Sequence, residues 1–122
     1  MNFKILCMKT NKLYDLTQLI DIVGDQDGLQ KMVTIFVEST PRIMDDLNEN
    51  LLTNNFEMIA HNAHKMKASI DMMKIVSLHD VIRKIDKPEK VLENKTDLKE
   101  IVGFINITLD SVFADLKKEF SL

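Results

Sequence analysis

The sequence is poor in the residues that interrupt helices, because its 122 residues include only three glycines and two prolines. Tryptophan is absent, and aromatic residues make up 6% of the chain. So few helix breakers among many Leu, Met, Lys, Glu and Asp residues favour long helices over a turn-rich β fold. At 45% hydrophobic and 29% charged residues, the composition is that of one globular domain with its own core. We therefore expect an all-α domain.

Long apolar runs and paired cysteines are also absent. Cys7 is the only cysteine, which excludes an intramolecular disulfide and a structural zinc site built on thiolates, and which predicts a reducing, cytoplasmic setting. The apolar run from Phe3 to Met8 is interrupted by Lys4, and it is too short for a signal-peptide core or a membrane span. We predict that residues 1–13 form a loosely held N-terminal arm and that residues 14–122 form the domain.

An excess of positive charge is missing as well. The formal net charge is −3, so we do not expect a nucleic-acid partner. The chain contains neither a P-loop nor a kinase-type glycine-rich loop, and no acid, base and nucleophile set suited to a hydrolase occurs together. We expect a non-enzymatic protein without a membrane partner. The start at Met1 and the absence of a linker favour a stand-alone protein, and we expect a monomer.

Apolar residues recur at helical spacing along most of the chain. A short helix is predicted from Leu16 to Val23, with Gly24 as its end and Asp25 as the cap of the next helix. The second helix is predicted to continue through Pro41 as one bent helix, because no loop-rich stretch separates its halves. The turn Thr53-Asn54-Asn55 follows it.

Three further helices follow that turn. The third is predicted from about Asn55 to Met73 and the fourth from about Val76 to Ile85. Asp86-Lys87-Pro88 ends the fourth helix, and a polar segment through Lys95 leads to the last helix. The last helix carries a long apolar stripe, formed by Leu98, Ile101, Val102, Ile105, Leu109, Val112, Phe113, Leu116 and Phe120. The predicted fold is an antiparallel four-helix bundle with an additional short N-terminal helix.

The third helix is amphipathic. Its apolar residues fall within one arc that should face the core: Phe56, Ile59, Ala63, Met66, Ile70 and Met73. His64 falls on the other side and is expected to be exposed. Lys67 lies one turn beyond His64 at the border of the two faces, where its stem can cover apolar surface while its ammonium reaches toward the imidazole. Ala68 and Met72 continue the exposed face, and the small side chain of Ala68 lets another protein approach the histidine.

This face has the groups that phosphoryl transfer needs. A neutral imidazole is a nucleophile near physiological pH, because its unperturbed pKa is about 6.5. Phosphoryl transfer depends mainly on positioning and charge compensation, and an ammonium one turn away can pair with phosphate oxygens. The predicted site therefore combines a nucleophile, His64, a cation, Lys67, and an adaptable apolar docking patch, Ala68 and Met72.

Simpler interpretations of the same face stay open. His64 taken alone could be an ordinary surface histidine, and His61 is expected to be solvated. Glu57, His61 and His64 have a spacing that could bind a metal ion from one helix. Because Lys65 and Lys67 stand nearby, this is a poor cation site, and we predict neither a metal nor a resident cofactor.

The heptapeptide from Ala63 to Ser69 also carries a motif, which consists of Ala63, His64, Met66, Lys67 and Ser69 at fixed spacing. It resembles the pattern Ala-His-x-Leu-Lys-Gly-Ser in the central helix of histidine-containing phosphotransfer (HPt) domains of multistep two-component signalling. Segments outside that helix look similar to the family too: Tyr14-Asp15-Leu16, Gly24-Asp25, Ile35 to Pro41, Asn54-Asn55-Phe56, Leu78 and Ile85-Asp86. The resemblance covers about Tyr14 to Asp86 by position and the last helix by pattern.

The resemblance implies that His64 accepts a phosphoryl group and that Lys67 helps to hold it. It also implies partners, namely response-regulator receiver domains and a hybrid sensor histidine kinase, with the divalent metal carried by the receiver. Five residues around the histidine are then predicted to dock the partner: His61, Lys65, Ala68, Asp71 and Met72. Two positions depart from the family pattern. Ala68 replaces the usual glycine, and Lys74 stands where a second glycine often ends the central helix.

Two other functions stay open at the level of the sequence. One is a pseudo-HPt module that docks a receiver or kinase without phosphotransfer. The other is a structural helical protein that associates through an exposed apolar stripe. The presence of both His64 and Lys67 favours the phosphoryl carrier, since a pure binding module has no chemical need for both.

Overall fold

The computed structural model describes residues 13–122, which contain six α-helices, one short 3-10 helix and no strand. In chain order the helices are α1 Thr17–Val23, α2 Gln26–Leu52, α3 Phe56–Met72, α4 Val76–Ile82, α5 Pro88–Glu93 and α6 Leu98–Glu119, with the 3-10 helix Lys95–Asp97 before α6. The all-α prediction is confirmed for this part of the chain. The predicted N-terminal arm, including Cys7, lies outside the described residues except for the exposed Leu13.

The junction between α1 and α2 agrees with the prediction. Gly24 has a φ of 78°, a left-handed conformation that glycine adopts without steric cost, and its N–H donates to the carbonyl of Ile20. The side chain of Asp25 accepts a hydrogen bond from the N–H of Gly28 at 2.6 Å and so caps α2. From there α2 is one helix of 27 residues with Pro41 inside it, which confirms that the chain does not separate into two helices at the proline.

Helix α2 contacts α1, α3 and α6, and α4 contacts both α3 and α6. Three contacts between α2 and the α6 region show the relative direction of the two helices, because the residue number falls in α6 as it rises in α2. They join Gln30 to Phe120, Phe36 to Phe113, and Asn48 to Asn106. The two helices are therefore antiparallel. The grouping of the helices into a four-helix bundle stays a prediction.

A buried polar contact joins α2 to α3. The amide of Asn62 donates to Asp46 at 2.8 Å and accepts from Asn50 at 2.9 Å. Asn62 is buried, and these two bonds satisfy polar atoms that would otherwise be costly to remove from water. Because the three-residue turn at Thr53–Asn55 connects the helices, the contact also shows that they run antiparallel.

One apolar core receives side chains from all six α-helices. The predicted stripe of α3 faces it, with Phe56 half-buried and the other members buried: Ile59, Ala63, Met66, Ile70 and Met73. Burial of this stripe determines which side of α3 faces solvent. No helix among residues 13–122 has the length and apolar character needed to cross a membrane.

The region after α4 differs from the prediction. α4 ends at Ile82 rather than near Ile85, and the predicted polar connection contains α5. Pro88 occupies the first turn of α5, where its missing N–H breaks no helical hydrogen bond. Val91 is fully buried, and α5 packs against α3. A six-residue helix with a single buried side chain has no apolar period that a sequence pattern could reveal.

Candidate functional site

Helix α3 presents His64 to solvent, as predicted. The helix begins after Asn55, whose side chain accepts a hydrogen bond from the N–H of Met58 at 3.2 Å. Ala63 and Met66, on either side of His64 in the sequence, are fully buried, so the helical rotation turns the imidazole outward. His61 is exposed one turn earlier on the same side.

Lys67 has a partner that the sequence analysis did not identify. Its ammonium lies 3.0 Å from Oδ2 of Asp86 and donates a hydrogen bond to it, instead of being directed at the imidazole as expected. Asp86 follows α4, and its side chain is only 3% exposed, whereas that of Lys67 is 28% exposed. The turn between α4 and α5 brings this carboxylate against α3, and spacing within α3 cannot reveal such a contact.

A second ammonium approaches the same carboxylate from α5. Nζ of Lys90 lies 3.6 Å from Oδ1 of Asp86. Burial by itself would raise the pKa of Asp86, but the hydrogen bond from Lys67 and the charges of Lys67 and Lys90 outweigh it, so the pKa is lowered below its ordinary value. Asp86 is therefore ionised at neutral pH, and it forms with the two lysines a compact group of three charges.

His64 and Asp86 line the same concave surface. It has a volume of about 470 Å³, and its other walls come from Glu57, Met58, Ala60, His61 and Pro88. This space is large enough to admit a phosphoryl group at the imidazole. Within residues 13–122, no group of three or more His, Cys, Asp or Glu side chains could hold a metal ion.

The five predicted docking residues do not share one environment. His61, Lys65 and Ala68 are exposed. Met72 was expected to be exposed, but it is half-buried and packs against the core. It lines a small cavity of about 60 Å³ together with residues of α1 and α2, such as Leu19 and Met32. The prediction was wrong because α1 and α2 cover the end of α3, which a helical wheel of α3 alone does not include.

The fifth docking residue, Asp71, is bound by Arg83 at the end of α4. Both carboxylate oxygens accept hydrogen bonds from the guanidinium, at 3.1 and 2.6 Å. The hydrogen bond from Arg83 is the main cause of a lowered pKa of Asp71, and the nearby positive charges of Arg83 and Lys67 act in the same direction. The pair fixes the carboxylate beside the exposed face of α3.

A second concave surface includes Ala68 and shares no lining residue with the first. It has a volume of about 480 Å³ and is lined by predicted docking residues, namely Ala68, Asp71 and Met72, together with residues of the α3–α4 turn and α4 such as Val76 and His79. The predicted docking face is therefore flanked by two hollows, one at His64 and one at the start of α4.

Lys74, which stands where the family often has a glycine, lies in the turn after α3. Its φ is 52°, in the left-handed region that favours glycine. The N–H of Ile75 reaches back to the carbonyl of Ile70 at 3.1 Å, and the N–H of Asp15 donates to the carbonyl of Met73 at 3.0 Å. Lys74 thus adopts the conformation that a glycine at this position would favour, despite its side chain.

Asp86, Lys90 and Arg83 are the site residues that sequence reasoning missed. Asp86 was noted as part of a segment that ends a helix and as a position similar to the HPt family, but not as a partner of Lys67, and Lys90 was noted only as part of a polar connection. In a single sequence, nothing indicates that a carboxylate two residues before a proline at the start of a helix is buried. Their role depends on a contact between α3 and the α4–α5 region, which lies about 20 residues away along the chain.

A comparison with protein-family models finds no match, and comparisons with curated proteins and with solved structures also find none. The resemblance to HPt domains consequently rests on the sequence motif and its register.

Proposed function

We propose that this chain is a phosphorelay intermediate of the HPt type. His64 accepts a phosphoryl group from the aspartyl phosphate of a receiver domain and passes it to a second receiver. The observation that supports this most strongly is the exposed imidazole of His64 on the solvent side of α3, one turn before an ammonium held by a buried carboxylate. In this proposal α2, α3, α4 and α6 form the four-helix bundle, and α1 is the additional helix.

The chemistry needs one nucleophile from this chain. A neutral ring nitrogen of His64 supplies the electron pair that forms the N–P bond, and the P–O bond to the receiver's aspartate breaks. The aspartate leaves as a carboxylate with the bonding electrons, and the proton on the other ring nitrogen can pass to water. The receiver supplies the divalent metal that neutralises charge at its own aspartate, so the chain itself needs no resident cofactor.

Lys67 is the cation of this site. Its ammonium can pair with phosphoryl oxygens as a point charge, because its side chain is partly exposed and lies one turn from His64. The receiver docks over His61, Lys65 and Ala68, which are exposed, and reaches the half-buried side chains of Asp71 and Met72 at the edge. The expected partners are response-regulator receivers and a hybrid sensor histidine kinase. The expected setting is the cytoplasm, with the chain acting as a monomer.

Direct phosphorylation tests the proposal without a known partner. The protein is incubated with phosphoramidate, a small donor that phosphorylates histidine, and in parallel with a panel of phosphorylated receiver domains. Wild type should acquire phosphate that is labile in acid and stable in alkali from both donors, and His61→Gln should acquire it from phosphoramidate, whereas His64→Gln should acquire none from the receivers. His61→Gln is the matched control because His61 is exposed on the same face one turn away.

The outcomes separate the candidate functions. Wild-type rates of uptake in His64→Gln would contradict the assignment of the phosphoacceptor. If the wild-type protein binds a receiver but acquires no phosphate from it, the result would favour a pseudo-HPt docking module. Self-association without receiver binding or phosphate uptake would favour a structural helical protein.

A further inference from the structure

The group formed by Asp86, Lys67 and Lys90 is asymmetric. Oδ2 of Asp86 accepts a hydrogen bond from Lys67 at 3.0 Å, whereas Oδ1 is 3.6 Å from Lys90 and accepts no hydrogen bond from the described part of the chain. Lys90 instead donates to the carbonyl of Arg83 at 3.1 Å. One ammonium is thus engaged with the carboxylate, and a second stands beside a buried oxygen that lacks a hydrogen bond.

The asymmetry has an energetic consequence. A buried carboxylate without a nearby cation is strongly unfavourable, so Lys67 could not leave Asp86 if it were the only counter-charge. Lys90 removes this obstacle, because it already lies close enough to compensate the charge. A shift of a few tenths of an ångström would bring its ammonium within hydrogen-bond distance of Oδ1.

Lys67 is also able to reach the imidazole. Its four-carbon stem is flexible, and its side chain is 28% exposed, so the ammonium is not enclosed by the core. His64 lies one turn earlier on α3, within the spacing at which helical side chains meet. Asp86 and His64 line the same concave surface, so the two groups that Lys67 would bind in turn lie at one hollow.

Phosphorylation would reverse the balance of charge. Lys67, Lys90 and Asp86 together carry a net charge of +1 while the imidazole is neutral. A phosphoryl group carries about −1.5 to −2 charges near pH 7. It therefore attracts an ammonium more strongly than the single charge of Asp86, and it offers more acceptor oxygens.

We propose that Asp86 is a positioning residue in an exchange of ion pairs. While His64 is free, Asp86 holds Lys67 beside the site. When His64 is phosphorylated, Lys67 moves to the phosphoryl oxygens, and Lys90 takes its place on Asp86. This inference rests on the proposed role of His64 as the phosphoacceptor.

The test measures the half-life of phosphohistidine after loading with phosphoramidate. Its hydrolysis adds water to phosphorus, breaks the N–P bond, returns a proton to the imidazole and releases inorganic phosphate. Lys67→Met should shorten the half-life by about three- to fivefold, the effect of one partly exposed ion pair. Lys90→Met should shorten it similarly, because Asp86 then retains Lys67. Lys99→Met, at an exposed position on α6, is the matched control and should leave the half-life unchanged.

The double variant Lys90→Met/Asp86→Asn distinguishes exchange from a structural role. Without the charge of Asp86, Lys67 is free again, and the half-life should return to within about twofold of wild type. A merely structural role of Lys90 would not be rescued by a second substitution in the same group. Failure of the rescue, or a wild-type half-life in Lys90→Met, would overturn the exchange.

Ammonium and carboxylate resonances of the wild-type protein provide a measurement that does not depend on variants. On loading with phosphate, the Lys90 ammonium should gain protection from exchange with water, and the Asp86 carboxylate resonance should shift. Unchanged resonances on a phosphorylated protein would overturn the exchange and leave the proposed function standing. Absence of phosphate on His64 would overturn both.

Discussion

The guanidinium of Arg83 binds both carboxylate oxygens of Asp71 and so joins the last turn of α3 to the end of α4. Arg83 also donates to the carbonyl of His79 in its own helix, which orients the guanidinium. Asp71 lines the concave surface where α4 begins, and the pair holds its carboxylate there. It therefore gives the predicted docking face a fixed edge.

The Asp71–Arg83 pair predicts a pH dependence of stability. The pKa of Asp71 is lowered by the hydrogen bond from Arg83, so the stabilisation is present above the pKa of Asp71 in the unfolded chain and is lost as pH falls through the lower pKa of the folded state. Asp71→Asn should lower the free energy of unfolding at about pH 7, and this difference should disappear near about pH 2. Urea denaturation at both pH values measures it. Asp110→Asn, at an exposed position on α6, is the control, and an equal effect there would contradict the prediction.

The Lys67–Asp86 pair predicts a loss of stability that is independent of function. Lys67→Met should lower the free energy of unfolding by about 1 kcal/mol at neutral pH, because a buried carboxylate loses its hydrogen bond while Lys90 still compensates its charge. The pKa of Asp86 is lowered in the folded state, so this loss should shrink as pH falls through that pKa. The exposed variant Lys65→Met should stay within about 0.5 kcal/mol of wild type. Equal losses in both variants would contradict the role of the pair.

The left-handed conformation of Lys74 predicts a stabilising substitution. Lys74→Gly should raise the free energy of unfolding by up to about 1 kcal/mol, because relief of the strain at a φ of 52° exceeds the entropy that glycine adds to the unfolded chain. Lys74→Ala removes the same charge but keeps a β-carbon, so it should not be stabilising. Thermal denaturation of wild type, Lys74→Gly and Lys74→Ala tests this prediction. If Lys74→Ala were stabilised as much as Lys74→Gly, the gain would come from removal of the lysine side chain and not from relief of backbone strain.

Because Ala68 is exposed, a larger side chain there should slow docking of a receiver without slowing the reaction of His64 with a small donor. Ala68→Leu keeps a good helix former but adds bulk one turn beyond His64, where the receiver should approach. Transfer from a phosphorylated receiver should slow by about tenfold, the size of one overpacked contact, while loading by phosphoramidate stays at the wild-type rate. Ala114→Leu, on the exposed side of α6, is the control and should change neither rate. Slowing of both reactions by Ala68→Leu would place the effect on His64 itself.

Local sequence features predicted much of the fold. The caps at Gly24 and Asp25, the continuity of α2 through Pro41 and the bounds of α3 all depend on residues within a few positions of each other. The exposure of His64 follows from the same kind of information, because burial of the α3 stripe leaves only one side of that helix for solvent.

Other features were not predictable because they depend on contacts between distant segments. α5 is held by one buried side chain, Val91, and by its packing on α3 rather than by a periodic pattern. The burial of Met72 depends on α1 and α2, which cover the end of α3. Both features appear only when the helices are placed together.

The sequence by itself determined a helical chain with His64 on an exposed face, because helical period and capping are local properties. Only the tertiary structure decided what Lys67 binds. Its ammonium meets Asp86 because a turn between two later helices returns the chain to α3, and Lys90 follows on α5. The interaction of two charges depends on the distance between them in space, and the spacing of residues along one helix does not give the distance to a charge on another segment.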